Sequence, residues 1–317
     1  MWVLLAGVLF SAGLAAAYET DDVTMKRRQQ GILTGMPFMA NLAPRTFVDD
    51  LGRKIFFAKP PTRIVSLAPN VTEILFALGL GEHIVGVTQF CDYPVEAMHK
   101  AKVGGLHPNL EAIVAQRPDL ILTLPIRSDL VATFEQLKIP VFILEAKTVE
   151  QVLSHLHLLG RMLNHIKEAD ELVMAMRRRM AEVSERTKAL PRPRLLYVLN
   201  SNPLMTVGPG SFIHQIIQLA GATNIAADAQ TAYPRITMEE VLRDDPEILL
   251  FPVGKEEGIP DEEQQQWLHW TRLSAVRQSR LVRIPSVLLD RPGPRIVDGL
   301  EQLARAIHPE AFAKDHP

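Results

Sequence analysis

The sequence predicts an α/β fold of two α/β lobes with parallel sheets, bridged by a single long α-helix. Three observations predict it. Short strands that are apolar on both faces alternate with helices, the pattern of a parallel sheet covered on both sides. Residues 148–190 form a long helical stretch with little strand character. Two segments repeat: 110–122 reads LEAIVAQRPDLIL and 238–250 reads MEEVLRDDPEILL. Under one offset Glu111 meets Glu239 and Pro118 meets Pro246. Each copy follows a strand–helix–Gly element, ending at Gly79 and at Gly221. The expected division is a lobe over 46–147, a helical linker over 148–190 and a second lobe over 191–312.

The chain opens on an apolar run, Trp2 to Ala17, ending in Ala15-Ala16-Ala17 and followed by polar residues. It reads as a signal peptide over 1–17 and is short for a spanning helix, which needs about 20 apolar residues. No Lys or Arg precedes it, and Met25-Lys26-Arg27-Arg28 could open a second leader ending near Ala43. The mature domain is expected to begin near Arg45. No Cys follows the run, which argues against a lipid anchor, and the product is expected outside the cytoplasmic membrane, most simply in a periplasm.

Residues 46–60 alternate polar and apolar around Leu51-Gly52, a small hairpin. Arg63–Leu67 is a strand. Asn70 and Glu73 have capping-box spacing and predict a helix over Val71–Leu78. Strands follow at Ile84–Val87, Asp119–Leu122 and Val141–Leu144, with helices at Asn109–Gln116 and Asp129–Leu137. Thr148 and Gln151 predict a capped helix that Asn164 ends; His155 and His157, two apart on it, are expected at its surface or boundary. The bridging helix runs over 167–189, ~33 Å at the α-helical rise, until Pro191 and Pro193 stop it. The second lobe follows. Strands are expected at Leu195–Leu199, Glu247–Phe251 and Leu281–Ile284, and helices at Ser211–Leu219, Thr237–Arg243, Trp267–Ala275 and Gly299–Ile307. Residues 254–266 read as a loop or an exposed helix start.

The 317 residues are 47% hydrophobic and 22% charged, with net charge −2, which excludes a disordered chain and argues against a nucleic-acid binder. One cysteine, Cys91, excludes an internal disulfide and a multi-thiolate metal site. Enzyme signatures are missing. Gly79-Leu80-Gly81 ends a helix instead of opening one, so the dinucleotide fingerprint fails. Gly208-Pro209-Gly210-Ser211 does not meet G-x-S-x-G, and Ser211 reads as an N-cap. No metal, cofactor or catalytic residue is expected; for a bare metal ion only His107 and Asp290 stand out. Unusual loop residues follow strand ends or precede helices: Asp92-Tyr93-Pro94, Gly104 to Pro108, Met205, Tyr233-Pro234, and Asp290 to Arg295. Loops at the carboxyl ends of parallel strands are where such sheets bind ligands.

The sequence resembles the periplasmic substrate-binding proteins of ABC transporters for cobalamin and iron complexes, over about Phe47 to Ile307. The pattern is carried by Val48 to Arg53, Arg63 to Glu73, Cys91 to Pro94, Val103-Gly104-Gly105 with Asn109 to Glu111, Arg117 to Leu120, and Pro294-Arg295. The resemblance implies the helical-backbone, class III architecture. Within it the chain looks most like the cobalamin-binding branch. The resemblance places Tyr93 and Tyr233 against the ligand from opposite lobes, and Asp290 and Arg291 as an acidic–Arg pair on the cleft edge. Gly105, Met205 and Leu288 fall where a cobalamin receptor carries tryptophan, phenylalanine and tryptophan, and His107 lies nearby. Haem or a ferric siderophore is the alternative ligand. The resemblance also implies that Glu111 and Glu239, one per lobe, meet basic residues of the permease subunits. Each also complements its own helix N-terminus. The protein is expected to act as a monomer whose lobes move little, because a bridging helix is stiffer than strand hinges.

Overall fold

The computed structural model describes residues 44–254 and 258–315. The apolar run over 2–17 and the second candidate leader lie outside them. Among the described residues no helix is long and apolar enough to cross a membrane.

The first lobe opens with an antiparallel hairpin, β1 (Arg45–Val48) and β2 (Lys54–Phe57). Then follow β3 (Ile64–Ser66), α1 (Pro69–Ala77), β4 (Ile84–Val87), α2 (Leu110–Ala115), β5 (Leu120–Thr123), α3 (Ser128–Gln136) and β6 (Val141–Ile143). The linker is α4 (Val149–Met162) and α5 (Ile166–Thr187). The second lobe runs through β7 (Arg194–Tyr197), β8 (Asn200–Ser201), β9 (Leu204–Met205), α6 (Phe212–Leu219), β10 (Thr223–Asn224), α7 (Met238–Asp244), β11 (Ile248–Val253), α8 (Asp261–Gln266), α9 (Ser274–Arg277), β12 (Leu281–Pro285), α10 (Ser286–Leu289) and α11 (Ile296–Ile307).

The two main sheets have the same topology. The first is ordered β4-β3-β5-β6 and the second β10-β7-β11-β12, with every neighbouring pair parallel. Strand alternation divides the core. Ile64, Leu120, Leu122 and Phe142 of one sheet join Leu195, Tyr197, Ile248 and Leu250 of the other in one continuous cluster. The α4 and α5 stripe, including Leu156, Leu159, Val173, Met176 and Val183, belongs to the same cluster. The opposite faces are separate. Val65, Ile121 and Val141 pack on Ile113 and Phe134 in the first lobe, and Leu196, Leu249 and Phe251 on Val241 and Trp267 in the second. The bridging helices thus share a core with both sheets, while each lobe keeps a private core on its outer face.

Local signals explain most boundaries. Thr148 with Gln151 and Thr237 with Glu240 form complete capping boxes, and Asn109 and Ser211 cap α2 and α6. The α4–α5 turn closes tightly through Asn164 (φ 63°) and Gly160, where a Cβ would come within 2.4 Å of the Ala169 Cβ. Arg179 of α5 then grips α11 through Glu301 and Asp298 at 2.6–2.8 Å.

Four expectations are corrected. The Asn70–Glu73 pair is no capping box: α1 starts at Pro69, Ala68 stands at the N-cap without a side-chain bond, and both residues are inside the helix. Proline at the first helical position needs no N–H partner and is preset for helical φ, so the helix begins earlier. His155 is buried, with Nε2 2.8 Å from Asp50 Oδ2, because the β1–β2 turn covers that side of α4. The helix expected over Trp267–Ala275 divides into a 3₁₀ turn, Trp267–His269, and α9, with Trp267 buried edge-on against Phe251. The last helix starts at Ile296, not at Gly299.

Candidate functional site

In both sheets the second strand pairs on one side of the first and the third on the other, so each has a switch point where the carboxyl ends open a crevice. The loops leaving those ends carry the predicted site residues.

The first lobe contributes the loop between β4 and α2. Tyr93 is half exposed there. The loop closes on itself through Gln89 N–H to the Gly104 carbonyl (2.9 Å) and Asn109 N–H to the Val103 carbonyl (2.9 Å). Gly104 has φ +123°, and a Cβ there would lie 2.6 Å from the His107 carbonyl, so glycine is required. Gly105 leaves room that the Gln89 amide takes up: a Cβ would meet its Nε2 at 2.8 Å. His107 is exposed at the tip beside Leu106, which is 84% exposed.

The second lobe contributes a ribbon. Thr206 N–H bonds to Pro234 O and Ile236 N–H to Leu204 O, both at 3.1 Å, so 204–208 runs antiparallel to 232–236. Met205 stands opposite Arg235 in this register. Leu204 and Ile236 pack into the outer core, which places Met205 and Arg235 on the other face. Tyr233, two residues before Arg235, shares that face and is half exposed.

The floor is the lobe junction, and it is strongly charged. Glu73 of α1 has a side chain only 2% exposed. It accepts two bonds from Arg295, Nε to Oε2 at 2.8 Å and Nη2 to Oε1 at 2.6 Å, and a third from Arg291 Nη1 at 3.3 Å. Arg291 Nη1 also reaches Asp92 Oδ1 at 2.6 Å. The Arg295 guanidinium lies 3.9 Å from the Tyr93 ring centroid. Asp290 accepts a short bond from the Tyr197 hydroxyl, and burial together with the Asp290 charge and Tyr233 pushes that phenol well up, keeping it a neutral donor. A cavity of about 480 Å³ opens beside the junction, lined from both lobes by Glu73, Phe76, Tyr93, Glu96, Pro294 and Arg295. A larger hollow, about 590 Å³, lies away from the strand ends between α4, α5 and α6 and involves none of these residues.

The structure therefore joins Tyr93 and Arg291 through the junction network, while Asp290, next to Arg291 in the chain, holds the Tyr197 hydroxyl and Tyr233 stays on the second lobe's ribbon. Gly105 and His107 belong to the loop after β4 and Met205 to the second lobe's ribbon, and none of the three lines the cavity at the junction. Leu288 is buried in the shared core. Sequence reasoning named Asp92 and Arg295 among the unusual loop residues but missed Glu73 and Tyr197 as parts of the site. The available signal was Glu73 itself, a lone charge in the apolar helix PNVTEILFA, which needs a partner if buried. Among the described residues no three His, Cys, Asp or Glu side chains are placed to hold a metal ion. Glu111 and Glu239 are both exposed in the first turns of α2 and α7.

A family model described as "Periplasmic binding protein" matches residues 64–288. An uncharacterized ABC transporter substrate-binding lipoprotein of Bacillus subtilis, YvrC, is 28% identical over 319 residues, covering 98% of this chain and 96% of that protein. The vitamin B12-binding protein of Vibrio cholerae is 29% identical over 248 residues, 77% of this chain and 88% of its own length. The crystal structure of the periplasmic vitamin B12 binding protein BtuF of Vibrio cholerae is similar with a TM-score of 0.68 at 27% identity, over 80% of this chain and 98% of that one.

Proposed function

Since the chain belongs to the periplasmic binding protein family, whose members are substrate-binding transport proteins and not enzymes, we propose that it captures cobalamin or a related corrinoid between its lobes and delivers it to the permease of an ABC importer. The observation that carries this reading is the charge arrangement at the junction. Arg291 and Arg295 are taken up by Glu73 and Asp92. A ligand with two carboxylates, such as haem, gains little from guanidiniums already paired within the protein. What the loops offer instead is half-exposed aromatic surface, Tyr93 from the first lobe and Tyr233 from the second, which suits a large ligand with extensive apolar faces. The vitamin B12-binding protein of Vibrio cholerae supports the same ligand class.

In this reading the segment 1–17 exports the protein, and Glu111 and Glu239 orient it on the permease. Two carboxylates on equivalent first turns meet basic residues only when the lobes hold a set separation, so electrostatics would set register more than strength. A Glu111→Ala/Glu239→Ala variant is expected to bind ligand normally and to lose stimulation of transport in vesicles carrying the permease; unchanged transport removes the docking role.

One observation favours a haem or ferric-siderophore ligand. Arg235 is exposed beside Met205, and no described side chain pairs with it. It could meet an anionic group. Calorimetric titration with cyanocobalamin, haemin and a ferric hydroxamate separates the readings. Binding of cyanocobalamin in the micromolar range or tighter is expected, and its absence for every corrinoid overturns the first reading.

A further inference from the structure

Arg295 occupies an unusual place in the junction. It stands at the N-cap of α11 in the second lobe, yet both its partners belong to the first. One edge of its guanidinium bonds to the buried Glu73 carboxylate, and the ring of Tyr93 lies 3.9 Å from its central carbon. A planar guanidinium can serve a carboxylate edge-on and stack face-on against an aromatic ring at once; a lysine ammonium has no planar face to stack. The surrounding contacts hold the arginine in that position. Arg291 crosses to Glu73 and Asp92, the residue before Tyr93. Asn70 Nδ2 donates to the Pro292 carbonyl at 3.3 Å, and Gly293 faces the Asn70 backbone, with room for no more than ordinary contact at its Cα, a Cβ there lying 3.4 Å from the Asn70 carbonyl oxygen. The loop 290–295 is thereby seated on the first turn of α1.

We propose that Arg295 is a positioning residue for ligand capture: locked to Glu73 across the lobe junction, it fixes the Tyr93 ring, so the first lobe's wall of the cleft is complete only while the second lobe is docked. This rests on the reading of the cleft as a corrinoid site. The physical gain is preorganisation. Tyr93 is half exposed on a loop, and a ring held in place before the ligand arrives loses less freedom on binding. It also makes one tyrosine report the geometry of both lobes.

Two measurements test it. The first needs no ligand. Fluorotyrosine is incorporated, and the Tyr93 fluorine resonance is assigned by its loss in Tyr93→Phe. In Arg295→Lys, which keeps the charge opposite Glu73 but loses the planar face, the resonance is expected to move and to average toward a solvent-exposed position. Should that variant fail to fold, Glu73→Met/Arg295→Met removes both charges together and leaves neither buried alone, and the same change is expected. An unchanged resonance in the variant that folds overturns the proposal. The second measurement is a double-mutant cycle read as the Kd for cyanocobalamin. Arg295→Lys is expected to weaken binding about tenfold with Tyr93 present and less than about twofold in a Tyr93→Leu background. Equal losses in both backgrounds overturn the proposal, since Arg295 would then act on the junction alone. If the unmutated protein fails to bind cyanocobalamin, the ligand assignment fails, and the fluorine measurement alone decides the role of Arg295.

Discussion

The two lobes place a polar side chain at the same point of the same helix and use it differently. Counting back six residues from the glycine that ends each unit, Gly79 and Gly221, gives Glu73 in α1 and Gln215 in α6. Both reach out of their own lobe. Gln215 Oε1 accepts from the Val149 backbone N–H at 2.8 Å and so satisfies one of the free donors at the start of α4. Glu73 is buried and takes two arginines from the far lobe. A neutral amide meeting a helix end is a local convenience, whereas a buried carboxylate needs its partners. At this helix position the first lobe is therefore tied to the second by charge and the second lobe to the linker by a neutral bond, while the charged tie of the second lobe to the linker runs elsewhere, from Arg179 to Glu301 and Asp298. Equivalent topology does not imply equivalent coupling: the repeated pattern builds the sheets, and unrepeated side chains join them.

The contrast can be broken at its strongest point first. Glu73→Gln leaves Arg295 and Arg291 in the junction without their shared counter-charge, and should cost about 3–5 kcal/mol of stability by equilibrium denaturation. A loss below 1 kcal/mol, roughly the size of one neutral hydrogen bond, would remove the distinction between the lobes. Gln215→Ala should cost only about 0.5–1.5 kcal/mol in the same assay. A loss as large as that of Glu73→Gln would show that the linker contact matters as much as the ionic one.

A smaller difference lies in acid sensitivity. Burial works to raise the Asp50 carboxyl in the first lobe, but the bonds from His155 and the Glu145 N–H, with the charges of His155 and Lys147, hold it below the usual range. In the second lobe, bonds from Ser274 hold Asp245 down. A carboxyl whose pKa is depressed by folding adds stability above its unfolded pKa and loses it as pH falls through the folded value. Stability should therefore drop below about pH 4. Asp50→Asn and Asp245→Asn should each flatten that limb, with the larger effect at Asp50, whose partner His155 is buried. Identical acid limbs in variant and parent would remove this contribution.

Much of the architecture was legible because it is written in local periodicity. Strands apolar on both faces, the caps at Thr148 and Ser211, Asn164 as the stop of its helix and the repeat through Glu111 and Glu239 all act within a few residues. They place α2, α4, α6 and α7 nearly to the residue. The errors share a cause. Asn70 and Glu73 satisfied a capping pattern, but Pro69 had already started the helix. His155 looked like a surface residue until the β1–β2 turn covered it, and the segment after Trp267 read as continuous helix although Phe251 draws the ring inward.

The site was less legible for the same reason. Tyr93, Tyr233, Asp290 and Arg291 stand out as unusual loop residues, but nothing near Glu73 in the chain announces partners more than two hundred positions later. The sequence by itself determined two α/β lobes, the helices between them and the loops that leave the strand ends, because apolar periodicity and capping are decided by neighbours. Only the tertiary structure decided that Glu73, Arg291 and Arg295 close the junction and that Arg295 lies against Tyr93. A buried charge chooses its partner by proximity in space, and that proximity exists only after both lobes have folded.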